Sequence, residues 1–115
     1  MNYQLEMKDR DAVVLKLMDR ITVYQLEKFR QIFKVVQRKM GERKRLLIDM
    51  ESLLYMDPLA LGVIVAFSKE FRSQGGDIRI VRMNGELKHI FEESRLSKVY
   101  QVYDSVSQAT KGSLI

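Results

Sequence analysis

The chain has 115 residues, of which 46% are hydrophobic and 30% charged, and its formal net charge at pH 7 is +5. A chain of this length and composition is expected to form one domain with a substantial core. Because it has no cysteine and only one histidine, the sequence excludes a disulfide scaffold, a thiolate metal site, a catalytic thiol and a zinc site with paired histidines.

The start of the chain predicts a β-hairpin. Residues 3–8 alternate apolar and polar side chains, which is typical of a half-buried strand. Residues 9–11 are a short polar break, and residues 12–18 return to an extended pattern. The N-terminus does not resemble a signal peptide, and no apolar run approaches the roughly 20 residues that a membrane-spanning helix needs. We therefore expect a cytoplasmic domain.

A first helix is predicted from residue 23 to residue 40. Thr22 and Gln25 have the spacing of a capping box, and Gly41 is a typical C-terminal stop. Apolar residues recur between these signals at three- and four-residue spacing, so one face of the helix is expected to pack on the core. The residues of that face are Val23, Leu26, Phe29, Ile32, Phe33, Val36 and Met40.

The middle of the chain predicts a buried strand followed by a second helix. Residues 44–50 have a continuous apolar centre, which is typical of a strand covered on both faces, and residues 51–56 are expected to be an irregular link. Asp57-Pro58 indicates a helix start, because aspartate is a favoured N-cap and proline is favoured at the first helical position. The helix is expected to extend from residue 58 to residue 74, where Gly75-Gly76 ends it.

The last third of the chain continues the alternation of strands and helices. The pattern predicts a strand over residues 77–83, a helix over residues 85–94 that Asn84 caps, and a short strand over residues 99–103. A capping box at Ser105 precedes a terminal helix. Right-handed crossovers place such helices against a mostly parallel sheet, so the expected fold class is a single α/β domain of about five strands and four helices.

Positive charge is concentrated in residues 28–45, which have a net charge of +7, while the rest of the chain sums to −2. This stretch fits the solvated face of an amphipathic helix and its exit loop, and it also fits a surface for nucleic acid, anionic lipid or an acidic protein. No aromatic residue interleaves with the charges of residues 38–45, as base stacking requires, so we expect no specific nucleic acid. The basic residues are Lys28, Arg30, Lys34, Arg38, Lys39, Arg43, Lys44 and Arg45.

The residues that most often carry catalysis give no catalytic arrangement. His89 lies on the predicted third helix four residues before Glu93, which fits a surface pair better than a triad. Gly75-Gly76 follows a helix and lacks the lysine of a phosphate-binding loop. Asp49 lies within a predicted strand, and Asp57 is explained as a helix cap. The sequence therefore predicts no enzyme, no metal site and no cofactor.

The first half of the second helix is apolar on every side, so it is either fully buried or presents apolar surface to a partner. Leu61 and Ile64 are expected to be buried against the sheet. Leu59 lies in the first turn beside a loop, where the sequence is equally compatible with exposure and with burial. A helix N-terminus is a natural anion site, but Leu59 has no group that accepts a phosphoryl group.

These segments together resemble the STAS domain family, and within it the small stand-alone anti-sigma-factor antagonists of bacteria. The resemblance covers nearly all of residues 1–115. The segments that carry it are Leu47–Met50, Tyr55–Val63, Gly75-Gly76, Ile78–Val81 and Leu87–Val99. Within the last of them, Glu93-Ser94-Arg95-Leu96 is similar to a glycine-leucine stretch of the family, with Arg95 in place of the glycine.

The family's central motif is Asp-Ser-Ser-Gly-Leu-Gly, and the corresponding residues here are Asp57-Pro58-Leu59-Ala60-Leu61-Gly62. In the family, the anti-sigma partner, a kinase of the GHKL ATPase type, phosphorylates the second serine, and the added negative charge releases the partner. The resemblance therefore implies a partner-binding surface at Met56, Asp57, Pro58, Leu59 and Ala60. It also places Leu59, which cannot be phosphorylated, at the position of the phosphoserine.

The resemblance thus implies a non-catalytic regulator that binds an anti-sigma factor or a GHKL-type serine kinase and lacks the phosphorylation switch. The alternative is a STAS subunit of a larger assembly, either a transporter complex or a stress-signalling scaffold. In that assembly the basic first helix would face an acidic subunit or an anionic membrane surface. The sequence leaves the partner and the oligomeric state open.

Overall fold

The computed structural model of the protein describes residues 1–94 and 100–110. Its elements are β1 (Asn2–Met7), β2 (Ala12–Ile21), a 3₁₀ turn (Val23–Gln25), α1 (Leu26–Met40), β3 (Arg45–Met56), α2 (Pro58–Ser73), β4 (Asp77–Val81), α3 (Gly85–Glu93), β5 (Val102–Tyr103) and α4 (Val106–Thr110). The strands form one sheet in the order β1-β2-β3-β4-β5. The predicted fold class, α/β with five strands and four helices, is confirmed over the residues described.

The sheet is mostly parallel, and three helices cover one of its faces. β1 pairs antiparallel with β2, whereas β2–β3, β3–β4 and β4–β5 are parallel pairs. Each of these parallel pairs is consecutive in sequence and is connected, within the described residues, by one α-helix. Because crossover connections between parallel strands are right-handed, α1, α2 and α3 lie on the same face. Leu15 and Ile48 are in register there and belong to the main core. The short α4 covers part of the other face, where Ala109 packs with Leu47 and Val81.

Four buried phenylalanines pack α1 against α2. The ring centroids of Phe29 and Phe33 are 5.0 Å apart, those of Phe33 and Phe67 are 4.6 Å apart, and those of Phe67 and Phe71 are 5.4 Å apart. Aromatic pairs at these separations add to the stabilisation that burial alone provides. This phenylalanine row therefore holds the two helices together along much of their length.

β3 is longer than the sequence predicts. The prediction of an irregular link over residues 51–56 is wrong, because β3 continues through Met56. The extension pairs with β2, which also runs on, so that Ile21 aligns with Met56. The register of this pair shifts twice between Lys16 and Arg20. Such shifts break the two-residue alternation by which a strand is recognised in sequence.

The predicted start of the first helix is also wrong, by three residues. The Thr22 N–H does donate to Gln25 Oε1 at 2.8 Å, as a capping box requires. The Gln25 N–H donates in turn to the Thr22 carbonyl oxygen at 3.0 Å, which closes a 3₁₀ turn, and α1 begins only at Leu26. Val23 is consequently exposed instead of belonging to the core face, whereas the remainder of the predicted face packs on the core.

The boundaries in the last third differ in two places. β4 ends at Val81, two residues early, because Arg82 adopts a left-handed backbone conformation with a φ of 57°. Asn84 caps α3 as predicted, and its side chain accepts a hydrogen bond from the Leu87 N–H at 2.9 Å. The predicted strand over residues 99–103 is present as Val102–Tyr103. Residues 95–99, with part of the glycine-leucine-like stretch, lie outside the described residues.

Gly76 packs against the end of the phenylalanine row, where an alanine is expected to destabilise the fold. A Cβ atom at Gly76 would lie 2.4 Å from ring carbons of the buried Phe71, so the ring would have to move. We expect Gly76→Ala to lower the free energy of unfolding by about 1–3 kcal/mol in urea denaturation. Gly62→Ala is the matched control, because a Cβ there meets nothing within 4 Å, and it should raise stability by about 0.5–1 kcal/mol. A Gly76→Ala variant as stable as the wild type would contradict this account.

Candidate functional site

The start of α2 is fixed by the sheet before it and by its own cap. The Asp57 N–H donates to the Ile21 carbonyl oxygen at 2.8 Å, so the pairing of β2 with β3 continues up to the residue before the helix. The Asp57 carboxylate then accepts from the Leu59 N–H at 2.9 Å, and the Asp57 carbonyl accepts from the Ala60 N–H at 2.8 Å. Pro58 has no N–H to offer.

The same hydrogen bonds decide what the helix start can bind. The first turn of a helix normally leaves N–H groups free for an anion. In α2 the N–H groups of Leu59 and Ala60 are both bonded to Asp57. The anion at this N-terminus is therefore the protein's own carboxylate, and the first turn contributes hydrophobic side chains rather than free donors to the surface.

The five residues predicted to bind a partner are divided between the surface and the core. Met56 and Ala60 are buried, because Met56 faces the helices at the end of β3 and Ala60 faces the sheet from α2. Asp57 is half-buried, Pro58 is exposed, and Leu59 is 60% exposed. The surface available at this point is therefore formed by Asp57, Pro58 and Leu59. The sequence was equally compatible with exposure and with burial of Leu59, and in the structure this side chain is exposed.

Three further apolar residues lie at the same end of the sheet and were not expected there. Val23 and Tyr24 are in the turn that follows β2, Leu54 lies near the end of β3, and all three are exposed, Tyr24 by 93%. Because Ile21 aligns with Met56, this turn adjoins the start of α2. We call Val23, Tyr24, Leu54 and Leu59 the apolar edge.

The apolar edge holds most of the exposed apolar bulk of the described chain. Five large hydrophobic side chains are exposed in residues 1–94 and 100–110, and only Met7 among them lies elsewhere. Single exposed apolar side chains are ordinary, whereas a group of them is typical of an interaction surface. The sequence contained a signal for this surface, because Tyr24 lies outside the apolar stripe of the first helix. The turn itself was not predicted, because the predicted helix began at residue 23 and included it.

The basic stretch divides into two parts in the structure. Arg43 Nε donates to the Asp9 carbonyl oxygen at 3.1 Å, Lys44 Nζ to that of Gln74 at 3.2 Å, and Arg45 to that of Thr110 at 2.9 Å. These three side chains therefore hold the exit loop and the start of β3 to the rest of the fold. The remaining five are exposed on α1, and they are Lys28, Arg30, Lys34, Arg38 and Lys39.

One acidic residue moderates the charge of α1. Arg30 lies 3.2 Å from Glu27, and both side chains are exposed. The hydrogen bond from Gln31, followed by that from Arg30, lowers the pKa of Glu27. Glu27 therefore remains charged to a lower pH than an ordinary glutamate. It offsets only one of the five exposed basic side chains, so the outer face of α1 keeps a net positive charge.

The other candidate groups have structural partners. His89 is exposed and its Nε2 lies 3.2 Å from Glu93 Oε1, the surface pair that its spacing indicated. Asp49 is buried on the sheet face opposite α1 and bonds Arg82, 2.5 Å from Nη2, so it is not brought together with Asp57. That hydrogen bond raises the pKa of Arg82. Among the described residues no group of histidines and carboxylates could hold a metal ion.

None of the helices in residues 1–94 and 100–110 has the length and apolar character to cross a membrane.

The chain is similar to known proteins over nearly its whole length. The sequence profile of one family, described as the STAS domain, matches residues 4–109. The anti-sigma F factor antagonist of Paenibacillus polymyxa is 26% identical over 107 residues, which are 91% of this chain and 90% of that protein.

Solved structures have the same fold. The anti-sigma factor antagonist SpoIIAA in its unphosphorylated form superposes with a TM-score of 0.78 at 21% identity, over 94% of this chain and 92% of that chain. Part of the murine anion transporter Slc26a9 superposes with a TM-score of 0.77 at 14% identity, over 90% of this chain and 18% of that chain. At these identities the likeness extends to the fold alone.

Proposed function

Because the chain belongs to the STAS domain family, we propose that it is a non-catalytic, protein-binding regulator that acts as an anti-sigma factor antagonist. The observation that carries this proposal is the apolar edge, which includes Leu59 at a position where the family motif has a serine. The name of the Paenibacillus relative supports the same role. The partner is then an anti-sigma factor or a GHKL-type serine kinase.

The regulator would bind its partner without a phosphorylation switch. A phosphoryl group adds nearly two negative charges and three acceptor oxygens, which would disrupt an apolar contact. Here neither Pro58 nor Leu59 has a hydroxyl group to modify. The Asp57 carboxylate also already bonds the Leu59 N–H. The binding surface would therefore stay apolar whether or not a kinase and ATP are present.

The test is phosphate transfer in a purified system. We expect the cognate anti-sigma kinase, identified by pull-down from the native organism, to form a complex with the wild-type chain that persists with ATP. No phosphate should be transferred to the chain. Leu59→Ser is the matched variant, because it restores a hydroxyl group at the motif position, and it should accept phosphate. Stoichiometric phosphorylation of the wild type would overturn the proposed loss of the switch.

A second candidate function is that of a subunit in a larger assembly. The likeness of this fold to 18% of the Slc26a9 chain favours it, since there the fold is one part of a transporter. The same pull-down separates the two candidates. A transporter ATPase recovered in place of a histidine-kinase-like ATPase would support the assembly and count against the regulator.

A further inference from the structure

A groove between α1 and α2 begins at Leu59 and runs along the phenylalanine row. Its cavity is about 390 Å³. The floor is aromatic and aliphatic, with Phe33 and Phe67 stacked beneath it. Near its far end the Gln37 side chain donates to the Gln74 side chain at 3.1 Å, which links the two helices. The groove is thus continuous with the apolar edge at one end and bridged near the other.

The α2 wall of the groove includes two small residues. Gly62 and Ala66 are exposed and line the groove. A Cβ atom at Gly62 would meet nothing within 4 Å, and a glycine inside a helix costs about 0.5–1 kcal/mol relative to alanine. No contact within the described chain accounts for this glycine. A close approach by another backbone does account for it, since only small residues allow helices to come together closely.

The α1 wall of the groove is positively charged. Arg30 and Lys34 line it one turn apart, with Gln37 next along the helix. The single carboxylate of the lining, Glu70, lies on the α2 side. From Leu59 to Glu70 the groove spans about 16 Å of helix axis, which is about three helical turns. The shape, the apolar floor and the one-sided charge together fit an amphipathic helix with acidic residues along one flank.

We propose that this groove binds an acidic amphipathic helix of the protein partner, with acidic side chains facing Arg30 and Lys34 and a small-residue contact at Gly62. The inference rests on the proposed function and deepens it by stating the chemistry of the docked segment. It also gives two of the exposed cations of α1, Arg30 and Lys34, a role other than solvation. The buried stacking of Phe33 and Phe67 leaves no free aromatic face for a nucleic-acid base.

The test uses the full chain and a designed peptide rather than the cognate partner. The probe is a helix of about 16 residues, or four turns, locked by a side-chain bridge because short helices are marginal in water. It has leucines on one face and glutamates on the flank, and a second peptide has lysine in place of every glutamate. In NMR titrations at about 0.15 M salt, the acidic peptide should shift the amide signals of Arg30, Lys34, Gly62 and Ala66. It should also bind more tightly than the basic peptide.

Variants separate the groove from general charge attraction. Gly62→Glu should weaken the acidic peptide about tenfold or more, because it fills the groove with a like charge. Lys34→Glu should weaken it about fivefold, whereas Lys39→Glu, an equal charge change outside the groove, should change affinity less than about twofold. Signals that shift elsewhere, or equal binding of both peptides, would overturn the inference. So would a dimer of this chain that Gly62→Glu dissociates, since the occupant would then be a second copy.

The outcomes also distinguish this inference from the proposed function. If the acidic peptide binds as described but no anti-sigma kinase associates, the function fails and the groove assignment stands. If the kinase associates and Gly62→Glu leaves its affinity unchanged, and the peptide does not bind the groove, the inference alone fails.

Discussion

Replacing Leu59 with glutamate should weaken binding of the protein partner about thirtyfold or more, which is the effect of removing a central apolar contact of an interface. Leu59 is 60% exposed, so the substitution removes little core packing. It would place a carboxylate where the apolar edge meets the partner, and an unpaired charge is costly to desolvate. The size of the loss therefore reports on the interface and not on the fold.

The fold should tolerate this substitution. Residue 59 is the second helical position of α2, and negative side chains near a helix N-terminus are favourable. Leu59→Glu should therefore unfold at the same urea concentration as the wild type or slightly higher. Partner affinity is measured by calorimetry with the kinase recovered by pull-down. Met7→Glu is the matched control, because Met7 is exposed and apolar but lies away from the apolar edge. The Met7→Glu variant should bind the partner with the affinity of the wild type. Unchanged affinity of Leu59→Glu would remove the helix start from the interface.

The sequence predicted the start of α2 to the residue, because every signal there is local. Asp57 caps the helix and Pro58 occupies its first turn in the structure as the pattern indicated. The family's motif and its order of elements were likewise readable from adjacent residues. The end of β3 was not, because its extension depends on pairing with β2 across two shifts of register. Such a pairing joins distant parts of the chain and leaves no simple periodicity in either strand.

In the candidate site, too, the features that depend on contacts between distant parts of the chain could not be predicted from the sequence. An all-apolar helix start cannot indicate which side chains face water, since the helical period carries no contrast when every position is apolar. The exposure of Leu59 and the burial of Ala60 depend on which face of α2 packs on the core, which is a property of the folded chain. Tyr24 and Leu54 were missed because they join the surface through the β2–β3 pairing. The division of the basic stretch likewise required the acceptors of Arg43 and Lys44, which lie far away in the sequence.

The buried ion pair between Asp49 and Arg82 gives the largest expected effect on stability. The Asp49 side chain is 3% exposed, whereas that of Arg82 is 33% exposed. Arg82→Met would leave the carboxylate buried with the Glu51 N–H as its hydrogen-bond donor and no bonded cation. We expect a loss of about 2–3 kcal/mol in the free energy of unfolding, below the full cost of breaking a buried pair because Arg82 is partly solvated.

Asp49→Asn should cost less, about 1 kcal/mol, since its side-chain oxygen still accepts from Glu51 and the partly exposed Arg82 can be hydrated. Methionine suits the comparison because it keeps the left-handed backbone of residue 82 as strained as arginine does.

Urea denaturation of the two single variants and the double variant measures the coupling. When residue 49 is asparagine, Arg82→Met no longer leaves a buried charge without a partner. The double variant should therefore be close in stability to Asp49→Asn alone. Strictly additive losses, or a larger loss for Asp49→Asn than for Arg82→Met, would mean that the pair does not join β3 to the end of β4 as the geometry indicates. Because the pair lies on the face opposite α1 and α2, neither folded variant should change the affinity for the partner.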